Sequence, residues 1–179
     1  VSTVAYIGFG ANLGDRLATF QEALLALRAL PLTVVTATSR VYETKPINIS
    51  DGGPAFFNAV IELNTDLSVR DLMSHMRGIE LRLGKSVSHR SDLSRVVDLD
   101  LLLYGECRIS EDSIEVPHPR IQERAFVLVP LAEVAPHAVH PVLGRTADAM
   151  CGLLSREDLL SVRPLSPLTP PVERDASGS

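Results

Sequence analysis

The chain has 179 residues, 45% of them apolar, and its 17 basic against 22 acidic side chains leave a formal charge of −5. That length and apolar content suit one ordinary domain with a sizeable core, and the acidic balance argues against a nucleic-acid or anionic-membrane surface, which usually needs a net basic footprint. Cys107 and Cys151 have neither CxxC nor metal-ligand spacing, no apolar run approaches a membrane span, and Val1 to Gly8 lacks the basic start of a secretory signal. The chain therefore reads as cytoplasmic, and its start at Val1 rather than Met reads as processing or excision from something longer.

In chain order, VAYIGF from Val4 has the β-branched and aromatic content of a buried strand. Asp15 opens a helical pattern in which Leu17, Phe20, Leu24 and Leu27 share one face, and Pro31 closes it. LTVVTATSRVY from Leu32 is rich in Val and Thr and predicts a strand, as does FFNAVIEL from Phe56; the polar ETKPINISDGGPA between them predicts a loop. Ser68 and Asp71 have capping-box spacing before a stripe of Val69, Leu72, Met73, Met76, Ile79 and Leu83, and Gly84 stands where a left-handed cap belongs. Met73 and Met76 read as plain core. A polar stretch from Lys85 to Ser94 leads into the strand VVDLDLLLY. Beyond Tyr104 the pattern predicts a short strand pair around Arg108 and Ile114 to Val116, a helix from about Ile121 to Val134, and another near Thr146 to Leu154.

The order strand, helix, strand, strand, helix, strand is the split βαβ arrangement of an α+β, ferredoxin-like (βαββαβ) core, here with an added C-terminal helical segment. One domain is expected over residues 1–162, and the Pro/Ser-rich residues 163–179 are expected to form an extended or mobile tail. The connections Glu43 to Ala55 and Lys85 to Ser94 are long, as lids and binding loops commonly are.

The strand RVVDLDLLLYG holds the chemistry. Side chains alternate along a strand, so Asp98 and Asp100 project to one side, roughly 6.5 to 7 Å apart, while Leu99 and Leu101 project to the other. Two like charges side by side need a cation, a basic side chain or a proton. One or two carboxylates completed by water and substrate phosphates are how proteins hold Mg²⁺; strand-end capping or pairing with arginine is the bland alternative. Arg82, Lys85, Arg90 and Arg95 precede this strand against Asp92 alone. Plain solvation explains many such runs, but carboxylate-held Mg²⁺ faced by basic side chains is what phosphoryl transfer requires. Two phosphate motifs fail on spacing. GFGANLG is one residue too long for G-x-G-x-x-G, and GKS at Gly84 follows a helix, with Gly78 one residue too far upstream for a P-loop.

YIGFGANLGDR, FFNAVIEL, IELRLG, SRVVDLDLLLYG and VPHPRIQERAFVLVPLAEVAP, in this order over roughly Thr3 to Pro136, resemble the 6-hydroxymethyl-7,8-dihydropterin pyrophosphokinases of folate biosynthesis. The resemblance implies a ferredoxin-like core, two Mg²⁺ ions, ATP as co-substrate, and transfer of pyrophosphate to the pterin hydroxymethyl group with AMP leaving. It assigns Asp98 and Asp100 to metal, and Thr44, Ile47, Phe56, Asn58 and Phe126 to the pterin, with Asn58 offering an amide edge and the two phenylalanines stacking. Glu80, Lys85, Arg95 and His118 fall to ATP, Arg95, Lys85 and Asp98 to catalysis, and Arg124 sits in a matching string without a definite role. A monomer acting on small molecules is expected, with the presence of neighbouring folate enzymes left open.

The chain departs from the family pattern at Lys85, Asp92, Leu93 and Pro119. Lys85 stands where an arginine is common, and a lysine is a point charge without the guanidinium fork. The general base is open between Asp98 and a water on the metal. His137 and His140 read as a surface turn, and His75 and His89 belong to no constellation. Two rivals are a non-catalytic ferredoxin-like binding module and a different Mg²⁺-dependent transferase. Against an RNA-binding module stands the lack of a basic-aromatic strand motif.

Overall fold

A computed structural model describes residues 2–45, 54–84, 96–111 and 113–165. Strand β1 (Thr3–Ala11) buries Ala5, Ile7, Phe9 and Ala11 and leaves Tyr6, Gly8 and Gly10 partly covered on the other face, the period of two that a sheet covered unequally requires. Helix α1 (Arg16–Arg28) starts where expected, with the Asp15 carboxylate accepting the Ala18 N–H at 3.0 Å.

The single strand expected from Leu32 is two strands. β2 (Thr33–Thr38) and β3 (Tyr42–Thr44) both pair with β4 (Phe56–Thr65), but the chain breaks between them. Ser39 is the reason. Its backbone N–H donates to Val60 O while its hydroxyl accepts the Val60 N–H, both at 2.9 Å, so a side chain takes a place in the ladder and the run of regular strand ends.

Helix α2 (Val69–Arg82) is capped by Ser68, and Gly84 follows it at φ +99°, the left-handed conformation expected there. β5 (Asp98–Tyr104) precedes a hairpin of β6 (Ile109–Glu111) and β7 (Ile114–Val116). The helix expected from Ile121 opens instead as a 3₁₀ turn over Ile121–Glu123. Arg124 then turns extended before α3 (Ala125–Val134). Two short helices follow, α4 (Ala147–Cys151) and α5 (Arg156–Ser161).

The chain continues in the sheet past residue 162, because β8 (Val162–Pro164) pairs antiparallel with β3 and Leu165 N–H donates to Val41 O at 2.9 Å. Arg163 and Pro164 therefore belong to the sheet. Their composition hid them: Pro164 is tolerable because, among the described residues, β8 pairs on one side only. Residues 166–179 lie outside the described residues.

The main sheet runs β5-β1-β4-β3-β8, with β2 beside β3 on β4, and all its pairings are antiparallel. Helices α1 and α2 cover the face carrying Ile7, Phe9, Ile61, Leu63, Leu99 and Leu101. Val60 and Leu102 on the other face pack with Leu128 and Leu131 of α3 and Met150 of α4. Among the described residues, no helix is long and apolar enough to cross a membrane. Both cysteines are free and half-buried.

Candidate active site

Register brings the site together. Tyr42 pairs with Asn58, Asn58 with Gly10, and Gly10 with Asp98, so four strands contribute one row. Directly opposed residues share a face, and the next row on that face is Val60, Gly8 and Asp100. Asn58 and Asp98 are two strand spacings apart, roughly 10 Å. Gly10 separates the Asn58 amide from Asp98, and Gly8 separates Val60 from Asp100. A Cβ on Gly10 would stand 3.5 Å from Asn58 Oδ1, and one on Gly8 would stand 3.3 Å from a Leu102 methyl. Over Gly8 that space is taken by Leu102, whereas the bare backbone of Gly10 between Asn58 and Asp98 leaves room for a flat ligand to lie across β1.

On the β4 side, Asn58 is 5% exposed and its Nδ2 donates to Thr44 Oγ1 at 2.8 Å. Phe56, two residues before Asn58 and on its face, pairs with Thr44. Phe126 sits half-buried in the first turn of α3, with the Arg124 guanidinium 5.6 Å from its ring centroid. Four of the five residues assigned to the pterin by resemblance thus lie in the described structure: Thr44 and Asn58 in direct contact, Phe56 beside them, and Phe126 on the helix packed over this face. The fifth, Ile47, lies outside the described residues.

On the β5 side, Asp98 and Asp100 flank a cleft of about 290 Å³ along the outer edge of the sheet. Met73, Met76, Arg77 and Glu80 of α2 form one wall, and Ser113, Glu115, His118 and Pro119 form another. Met76 is core as expected, but both methionines also line this cleft. Glu80 has a role that the resemblance did not imply. It is 5% exposed, and its Oε1 accepts the N–H of Leu99, the residue between the two aspartates, at 2.7 Å. The buried carboxylate therefore fixes the backbone of the D-L-D segment from beneath.

Charge concentrates at the same end. Burial pushes His118 below its ordinary pKa, and Arg124 and Arg120 push it further against the opposing pull of Glu115 and Asp98. Its Nδ1 accepts the Arg120 N–H at 3.3 Å, which leaves the proton of the neutral ring on Nε2. Arg124 is itself lowered, by burial first and Arg120 second, while Asp100 and Asp98 favour its charge. Arg124 thus lies within the field of both aspartates as well as over the Phe126 ring. Lys85 and Arg95, with Asp92 and Leu93, lie outside the described residues.

Among the described residues, no group of three or more His, Cys, Asp or Glu side chains could enclose a metal. Two adjacent carboxylates at an open cleft are a partial donor set, which fits Mg²⁺, an ion that keeps waters and takes further oxygens from phosphates. They do not fit a closed zinc centre.

Arg16 carries no signal in the sequence pattern. It donates to Ala55 O and lies 4.0 Å over the Phe57 ring, clamping the start of β4 just before Phe56 and Asn58.

Residues 6–136 match the family model described as 7,8-dihydro-6-hydroxymethylpterin-pyrophosphokinase (HPPK). A 2-amino-4-hydroxy-6-hydroxymethyldihydropteridine pyrophosphokinase of Methylorubrum extorquens is 40% identical over 137 residues, covering 76% of this chain and 85% of the relative. One of Bacillus subtilis is 37% identical over 134 residues, covering 75% and 79%. The folic acid synthesis protein FOL1 of Dictyostelium discoideum is 35% identical over 150 residues; these cover 83% of this chain but only 22% of that longer protein, and a Pneumocystis carinii relative is matched over 21% of its length. A crystal structure of wild-type Plasmodium falciparum HPPK-DHPS with pteroate superposes with a TM-score of 0.68 at 15% identity, over 85% of this chain and 42% of the other, a likeness of fold.

Proposed function

Because the chain belongs to the 7,8-dihydro-6-hydroxymethylpterin-pyrophosphokinase family, we propose that it transfers pyrophosphate from ATP to 6-hydroxymethyl-7,8-dihydropterin, giving the pterin diphosphate and AMP in folate biosynthesis. One observation carries the reading: the buried Asn58 amide faces Asp98 across the bare backbone of Gly10, with Asp100 on the same face in the next row. A bicyclic pterin with its pyrimidine edge on Asn58 and Thr44, stacked by Phe56 and Phe126, would direct its hydroxymethyl arm toward Asp98 and Asp100. The cleft beyond those aspartates takes ATP, beside His118 and Glu80.

The fold supports the same assignment. Without β3 and β8, the strand order β5-β1-β4-β2 is that of a ferredoxin-like βαββαβ core, and we read it as one. In the reaction, the hydroxymethyl oxygen forms a bond to the β-phosphorus in line with the bond between that phosphorus and the α,β-bridging oxygen, which breaks as AMP leaves. Asn58, Thr44 and the two rings orient the acceptor, converting an encounter into a positioned attack. Asp98 and Asp100 would hold Mg²⁺, which supplies charge neutralisation on the phosphate oxygens when bound. Arg124, with Lys85 and Arg95 from the basic segment, offsets charge on the transferred group.

Phosphorus NMR with Mg²⁺, ATP and the pterin tests this. Pterin-dependent, EDTA-sensitive AMP together with a pterin diphosphate is expected. Formation of ADP would replace the reaction by single phosphoryl transfer, and absence of turnover despite ATP binding would replace it by a regulatory module.

A further inference from the structure

We propose that strand β8, which lies beyond the residues matching the family model, is a positioning element for the pterin side of the site. The inference rests on the pterin reading of Thr44 and Asn58. β3 is only three residues long, and its last residue, Thr44, pairs with Phe56 on one side and Val162 on the other. Thr44 is 7% exposed and receives the Asn58 amide. Without β8, this segment would be a three-residue sheet edge, held by β4 alone. Such short edges are marginal, and one loosened here would release the hydroxyl that orients Asn58.

β8 is built into its place. Val162 is 6% exposed and clusters with Tyr42 and Ala125, while Leu165 packs against the helix-covered core. Its backbone donates to Val41 O at 2.9 Å. Antiparallel ladders alternate, so the bond at Leu165 puts the Arg163 N–H two residues back on its opposed residue Glu43, while Pro164 takes the intervening position where no N–H is needed. The strand therefore ends one bond from the pterin hydroxyl contact. The family model stops at residue 136, so the element completing this wall comes from outside the segment that model describes.

The ladder can be cut without removing a buried side chain, because Arg163 is exposed. Arg163→Pro deletes the N–H, and Arg163→Ala keeps it. In the full chain, Arg163→Pro is expected to raise KM for the pterin by about tenfold, the scale of one backbone hydrogen bond, with KM for ATP within about twofold. Arg163→Ala should leave both unchanged. Direct pterin binding, followed by pterin fluorescence in a protein without tryptophan, should weaken in parallel. Equal changes in both KM values, or an unchanged pterin KM in a folded Arg163→Pro protein, would overturn the proposal. If Arg163→Pro does not fold, Val162→Ala, which trims the side chain opposite Thr44, decides on the same readouts. The unaltered chain is assayed first: no pterin turnover there refutes the functional reading, whereas turnover with an insensitive β8 refutes only the positioning role.

Discussion

Replacing Glu80 separates two roles for one carboxylate. The resemblance places it near the nucleotide, whereas the structure gives its Oε1 to the Leu99 N–H at 2.7 Å, with both residues less than a tenth exposed. A hydrogen bond to a charged acceptor contributes about 1.5–3 kcal/mol, and a buried N–H left without an acceptor costs about 1–3 kcal/mol. Removing a buried carboxylate recovers some desolvation, so Glu80→Ala is expected to cost about 2–3 kcal/mol, or about 4–12 °C in Tm for a domain of this size. Glu80→Gln keeps an acceptor oxygen, roughly half as strong when neutral, and should cost about 1 kcal/mol. Because Leu99 separates Asp98 from Asp100, the loss should propagate to the site: kcat should fall by about tenfold or more in Glu80→Ala and stay within about threefold in Glu80→Gln. Thermal unfolding and AMP formation read both. A Glu80→Gln protein as stable as the original but as inactive as Glu80→Ala would refute the backbone role and return the charge to the nucleotide.

Asp98→Asn and Asp100→Asn should each lower turnover by about 10³-fold while the protein remains folded; activity within tenfold of the original in either would remove that residue from the metal set. Arg16→Ala should loosen the start of β4, lowering stability by about 1–2 kcal/mol and raising the pterin KM, and Arg16→Lys should recover only part of both because lysine lacks the planar stacking surface. An Arg16→Ala protein with unchanged midpoint and KM would exclude the clamp. Burial first, and the hydrogen bond to Glu133 second, push the Tyr42 phenol from 10.0 up to about 12. Its folded pKa is raised, so its contribution, roughly 2–3 kcal/mol, is present below pH 10 and lost as pH rises toward 12. Denaturant midpoints across that window should fall less steeply for Tyr42→Phe than for the original chain, and identical slopes would contradict the assignment.

Local pattern carried much of this molecule. The caps at Asp15 and Ser68, the left-handed Gly84, and the alternation that sets Asp98 and Asp100 on one face are decided within a few residues of sequence, and they appear where expected. The break at Ser39 was not legible, because a hydroxyl replaces a ladder bond only when Val60 lies opposite. Nor was Glu80 on Leu99, since a carboxylate buried under a strand 19 residues away looks in sequence like any helix acid. Nor was the field of Asp98 and Asp100 on Arg124, the extended residue between the 3₁₀ turn and α3.

The sequence by itself determined the chemistry available: paired carboxylates on a strand, an amide after two phenylalanines, and a basic segment, each set by residue type and short-range periodicity. Tertiary structure alone decided their alignment. The row of Tyr42, Asn58, Gly10 and Asp98 depends on the register of four strands distant in sequence, and the closing of its outer side depends on a Pro-containing segment beyond residue 161. Register and edge pairing are settled by packing across the whole sheet, which no local stretch of the chain contains.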